Sequence, residues 1–97
     1  MKAKLLHKIL LETNEVQTMS LLMKALFTTK ELKELENRLK IFQLLIKGET
    51  QREISELLNV GIATVTRGAN TYETESIFKI NSNIIETLKK NKFDKND

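Results

Sequence analysis

A chain of 97 residues without an internal repeat reads as one small domain, 1–97; its 40% hydrophobic content suffices for a packed core, and its high surface-to-volume ratio favours oligomerisation. The formal charge of +3 permits nucleic-acid binding without demanding it, and the absence of cysteine removes disulfide and thiolate chemistry. No apolar run approaches the ~20 residues of a membrane span, and Met1–Ile9 lacks the small-residue cleavage site of a signal peptide, so the cytoplasm is the expected compartment and no membrane partner is expected.

Proline is absent and the only glycines are Gly48, Gly61 and Gly68, so the chain reads as nearly all helix, an all-α domain. Lys2 to about Asn14 carries Leu5, Leu6, Ile9 and Leu10 on one side and is predicted as a first helix. Thr18–Leu26, with Met19, Leu22, Met23 and Leu26 at helical spacing, is predicted as a short second one. Thr28 and Glu31 form a capping box that opens a helix to Lys47, stopped by Gly48. Its apolar positions (Leu32, Leu35, Leu39, Ile41, Phe42, Leu44, Leu45, Ile46) cover more than one face in the second half. Such a helix is central and contacted from several sides, in part by a second copy in a chain this short.

Gly48 to Asn70, GETQREISELLNVGIATVTRGAN, fits two short helices joined by a fixed turn. Thr50 and Glu53 form a second capping box, and Ile54, Leu57 and Leu58 bury one face of the helix that follows. Asn59 tolerates the left-handed geometry that ends a helix. Val60 packs beneath the turn, Gly61 caps the next helix and Val65 faces inward, leaving Ile62, Ala63, Thr64 and Thr66 outside. The result is a helix-turn-helix over about 51–71. The outer face of its second helix is small, hydroxylic or apolar, with Arg67 its only charge up to Ala69. A solvated helix carries more Lys and Glu, whereas a helix entering a major groove needs short side chains that reach base edges and thymine methyls.

Beyond it, Tyr72–Ser82 is polar and mixed, with Ile77, Phe78 and Ile80 as possible anchors. Ser82 or Asn83 caps a last helix containing Ile84, Ile85 and Leu88. Residues 89–97 read as a frayed, basic tail. Of the sixteen Lys and Arg only Arg38, Arg52 and Arg67 are arginine. Arginine is the planar, bidentate and stacking cation, so these positions invite a planar or anionic group nearby.

The run Gly61-Ile62-Ala63-Thr64-Val65-Thr66-Arg67-Gly68, preceded by GE-TQRE and by Leu26-Phe27-Thr28 with Arg38 ten residues on, resembles the bacterial tryptophan repressor family across about Leu22–Tyr72. The resemblance implies an intertwined all-helical homodimer that binds double-stranded operator DNA when L-tryptophan is bound as corepressor, with no other cofactor and no metal. It implies ligand contacts at Thr28, Arg38, Arg67, Gly68 and Thr71, with carbonyls near Ala25 and Phe27 receiving the ammonium group. Arg67 would meet the carboxylate, and Arg38 and Arg67 would sandwich the indole. It implies DNA contacts from Gln51 and Arg52 and from Gly61, Ile62, Ala63, Thr64, Thr66 and Asn70. The chemistry agrees: a free aromatic amino acid needs a cation, acceptors and flat surfaces, and arginine supplies both the first and the last. Gly68 inside a helix costs ~1 kcal/mol relative to Ala, which suggests a gap kept open for a ligand. Thr29, Ala69 and Ser55 depart from the family pattern, which usually has Pro, Ser and a basic residue there.

Plainer readings stand beside these. Thr28 can be only a cap, Arg38 can pair with Glu34, Arg67 can bind a phosphate, Thr71 can end its helix and His7 can be solvated. A regulator of the same fold with another ligand or none, and a protein-binding helical adaptor, are the rival functions. With one histidine, no Gly-rich phosphate loop and no clustered acidic pair, the chain offers no catalytic constellation and no enzyme is expected.

Overall fold

The computed structural model describes residues 4–93; the expected helix start at Lys2 and the tail from residue 94 onward lie outside the described residues. Among the described residues the chain is helical without a strand: α1 (Leu5–Glu12), α2 (Val16–Leu26), α3 (Thr29–Ile46), α4 (Gln51–Leu58), α5 (Ile62–Thr74), α6 (Ile77–Ile80) and α7 (Ser82–Lys90). The all-α expectation holds. Two compact units, residues 1–34 and 35–97, divide within α3.

In the first unit α1 ends at Glu12, where Thr13 turns extended and its hydroxyl donates to the Ile9 carbonyl at 2.8 Å. Exposed His7 accepts the Lys4 amide on Nδ1. α2 begins at Val16 rather than Thr18. Neither helix has a buried residue, and Leu11 and Val16 are 82% and 87% exposed. The apolar spacings are thus present, but among the described residues none of these side chains is buried. The α3 capping box is complete: the Glu31 amide donates to Thr28 Oγ1 at 3.1 Å and the Thr28 amide to Glu31 Oε1 at 2.8 Å. The Thr28 amide, then its hydroxyl, hold the Glu31 carboxyl below its ordinary value.

The second unit has its core where α3, α4 and α5 meet, in Ile41, Leu44, Ile54 and Val65, with Leu45, Leu58, Val60 and Phe93 packed against them. α3 stops as the sequence predicts: Gly48 takes φ +92°, its amide donates to the Leu45 carbonyl and that of Glu49 to the Leu44 carbonyl. This double bond pattern satisfies two carbonyls that the helix end would otherwise leave unpaired. The second half of α3 is contacted on several sides. Ile41 faces α5, Phe42 meets Phe78 edge-on and the tilted ring of Tyr72, and Gln43 Nε2 donates to the carbonyls of Leu88 and Asn91 at the end of α7. Lys40 is also buried, which apolar spacing did not anticipate.

The stretch after the helix-turn-helix is more ordered than its composition suggests. Tyr72 lies within α5, and its ring meets Phe78 of α6 at 4.9 Å between centroids. Of the three expected anchors only Phe78 is seated; Ile77 is exposed and Ile80 is 77% exposed. The cap of α7 is Asn81, whose Oδ1 accepts the Asn83 amide at 3.0 Å, one residue before Ser82 and two before Asn83, the expected caps. An Asx side chain reaches the amide two positions on, and the helix boundary simply falls one residue earlier. Lys89 and Lys90 form the last turn of α7 instead of a frayed tail.

Candidate nucleic-acid interface

The helix-turn-helix is set by local chemistry. Thr50 Oγ1 accepts the Glu53 amide at 3.1 Å and starts α4. The Glu53 carboxyl is lowered first by a hydrogen bond with the Glu49 side chain and also by the Thr50 amide. The same hydrogen bond with Glu53, and then the Glu53 charge, raise the exposed Glu49 carboxyl. Asn59 ends α4 at φ 54°, ψ 48°, the left-handed conformation expected of it. The turn carries a fastening that sequence reasoning missed. Ser55 Oγ donates to the Val60 carbonyl at 2.6 Å while the Val60 amide donates to the Ser55 carbonyl at 3.2 Å. Ser55 thus ties the turn closed.

Gly61, extended at φ −65°, ψ 149°, offers its carbonyl to the amides of Thr64 and Val65 and opens α5. Val65 is fully buried against Ile54, and this locks the two helices together. The residues expected on the outer face are there: Gly61, Ile62, Ala63, Thr66 and Asn70 are exposed and Thr64 is half-buried. Gln51 and Arg52, in the first turn of α4, are also exposed. One contact joins the two helices on this face: Thr66 Oγ1 donates to Gln51 Oε1 at 2.7 Å.

Behind α5, four residues expected at a ligand lie close together. Arg38 Nη1 donates to Thr71 Oγ1 at 3.4 Å, and the Thr71 hydroxyl donates to the Arg67 carbonyl at 3.0 Å. Gly68 lies against Arg38 and Ile41: a Cβ there would stand 3.6 Å from Arg38 Cδ and 2.8 Å from Ile41 Cγ2. The gap expected at Gly68 is therefore corrected. The Ile41 side chain occupies that space, and the missing Cβ lets two helices approach. In the first unit, Ala25 lies in the last turn of α2, and Phe27 ends it with an extended backbone and its amide on the Met23 carbonyl. Its neighbour Thr28 is engaged through hydroxyl and amide in the α3 cap. Among the described residues no group of His, Asp or Glu could hold a metal.

Comparison with known proteins places this arrangement. A family model described as "Trp repressor protein" matches residues 2–79. The chain is 44% identical over 61 residues to a "Trp operon repressor homolog" of Vibrio campbellii, covering 62% of this chain and 61% of that protein. It is 46% identical over 57 residues to a protein of the same description from Vibrio vulnificus, covering 58% and 56%. A third such homolog, from Xylella fastidiosa, is 34% identical over 74 residues, covering 75% and 80%. The chain thus spans about three fifths of the length of the Vibrio relatives. No solved structure matches. With the family model covering most of the chain, and a helix-turn-helix where its motif requires one, the chain belongs to the Trp repressor family.

Proposed function

We propose that this chain is a DNA-binding transcriptional repressor, homodimeric, whose operator affinity rises when it binds L-tryptophan, and that it controls genes of tryptophan biosynthesis or uptake in the cytoplasm. The observation that carries the reading is the pairing of two features on opposite sides of α5. Its outer face is short, hydroxylic and apolar, as a major-groove helix needs to be. Its inner face meets the hydrogen-bonded set of Arg38, Thr71 and the Arg67 backbone.

In this reading Arg67 takes the ligand carboxylate, and the Arg38 and Arg67 guanidinium planes flank the indole. Thr71 already orients the Arg38 guanidinium through its hydroxyl. Gly68 acts by letting α5 approach α3, which keeps Arg38 beside it. Carbonyls near Ala25 and Phe27 are assigned to the ammonium group, and Thr28 is assigned to the ligand as well. On DNA, Gln51 and Arg52 hold phosphate or guanine, while Gly61, Ile62, Ala63, Thr64, Thr66 and Asn70 lie at or near base edges.

A dimer must set two such reading heads one helical turn apart, about 34–36 Å, a docking described for the Trp repressor itself among other helix-turn-helix proteins. A ligand that binds one head orientation better than another shifts that equilibrium by its differential affinity. The uncovered apolar residues of α1 and α2 support the homodimer: Leu5, Leu11, Val16 and Leu21 are each more than two thirds exposed. Among the described residues no helix is long and apolar enough to cross a membrane. The reading has no catalytic step.

Calorimetric titration of the purified protein with L-tryptophan tests it, with ligand fluorescence as a second channel in a chain that has no tryptophan. Saturable binding at one ligand per chain, together with ligand-dependent retention of duplex DNA, supports the reading. DNA retention indifferent to L-tryptophan leaves a regulator with another effector or none. No DNA retention leaves a helical adaptor.

A further inference from the structure

Thr66 differs from several of the helical threonines. Thr71, Thr74 and Thr87 each donate their hydroxyl proton to the carbonyl four residues back, and Thr13 at the end of α1 does the same. Thr66 sends its proton across to Gln51 Oε1 at 2.7 Å, a side-chain hydrogen bond between the outer faces of α4 and α5. A carboxamide has one acceptor end and one donor end, and a hydroxyl has a single proton to give. With Oε1 engaged by Thr66, the free end of Gln51 is Nε2 with its two N–H donors.

We infer that Thr66 is a positioning residue that fixes the polarity of Gln51, so that Gln51 offers hydrogen-bond donors to an acceptor on DNA. The acceptor is a phosphate oxygen or the O6/N7 edge of guanine. The phosphate source is favoured by position: Gln51 opens the first helix of the hairpin, the one that crosses the DNA backbone in this docking mode. Both side chains are exposed, so water competes with their bond in the free protein. Docking removes that water, and the ordered carboxamide then spares the complex the cost of choosing between two flips. The inference rests on the DNA-binding reading above.

The test uses the whole protein with L-tryptophan present. It selects from a pool of randomised duplexes, and affinities are then measured for the most enriched duplex and for a scrambled one. Thr66→Val keeps the shape and removes the donor; it weakens binding to the enriched duplex by ~2- to 10-fold, the range of one hydrogen bond. Thr66→Ser restores it. Gln51→Glu keeps an acceptor for Thr66 but replaces the donors with charge, and binds more weakly than Gln51→Ala. In the Gln51→Ala background, Thr66→Val costs less than it does alone, because part of its effect runs through Gln51. A loss equal on both duplexes assigns the acceptor to phosphate, and a loss confined to the enriched duplex assigns it to a base. Circular dichroism melts of every variant separate these effects from unfolding. Additive losses in the double variant, or Gln51→Glu binding as tightly as wild type, overturn the inference while leaving the DNA reading intact. A wild-type protein that retains no duplex overturns both.

Discussion

Gly68→Ala separates a packing role for this glycine from a ligand role. A Cβ at Gly68 would stand 2.8 Å from Cγ2 and 3.4 Å from Cδ1 of Ile41, a residue with no solvent exposure. Ordinary carbon contacts lie at about 3.5–4.0 Å, so Ile41 or α5 must shift by close to an ångström. Ile41 cannot give by a rotamer change, because a β-branched residue in a helix has one strongly preferred χ1. Overpacking of this kind costs ~1–3 kcal/mol, and exchanging helical Gly for Ala returns ~1 kcal/mol. The net expectation is a loss of ~1 kcal/mol, which lowers the Tm of a domain this size by ~4–8 °C. Thermal melts at fixed protein concentration measure it. Ile41→Leu removes Cγ2, the atom in conflict, at a cost below ~1.5 kcal/mol. In that background Gly68→Ala should be neutral or stabilising, a clear departure from additivity. If Gly68→Ala raises the Tm of the otherwise unaltered protein, the close approach of α3 and α5 is wrong. If Tm is unchanged and only the stabilisation by L-tryptophan disappears, the glycine serves the ligand and not the packing.

Three further outcomes are expected. Arg67→Ala weakens L-tryptophan binding by at least ~10-fold, the loss of a charge-assisted hydrogen bond, while calorimetry finding the same affinity as wild type defeats the carboxylate assignment. At Asn59, φ 54° makes Asn59→Gly nearly neutral, whereas Asn59→Ala costs ~1 kcal/mol in urea melts; equal stabilities would show that the left-handed cap is not strained by a Cβ. The Glu31 carboxyl, bonded to the Thr28 amide and hydroxyl, titrates below its ordinary 4.5 by NMR. Its folded pKa is depressed, so its contribution is present above the unfolded pKa and is lost as pH falls through the folded value. Thr28→Ala moves the titration back up, and a Glu31 that titrates at 4.5 or above in the unaltered protein refutes the capping box.

What the sequence determined by itself is the set of features whose causes lie within a few residues. The Thr28–Glu31 box, the Thr50 cap, the stop at Gly48, the left-handed Asn59 and the start at Gly61 each follow from one side chain meeting a backbone group a turn away. Local rules suffice there because the chain connectivity already holds the partners together. Burial of Val65 and Ile54 followed from spacing, since a hairpin of two short helices has only one face to hide. The candidate ligand residues were legible through a motif, yet their arrangement was not. Arg38 and Thr71 are 33 positions apart, and only the packing of α5 on α3 brings guanidinium to hydroxyl. The same holds for Gly68, which the sequence marks as unusual but whose neighbour Ile41 only the fold reveals. It holds again for Gln43 closing the end of α7 and for Phe42, Tyr72 and Phe78 gathering into one cluster. Thr66 and Gln51 each look like independent surface residues until two helices cross and one hydroxyl chooses between a carbonyl in its own helix and a carboxamide on the other. Tertiary structure decided these because a contact between helices depends on where both helices go, and no spacing along one of them encodes that.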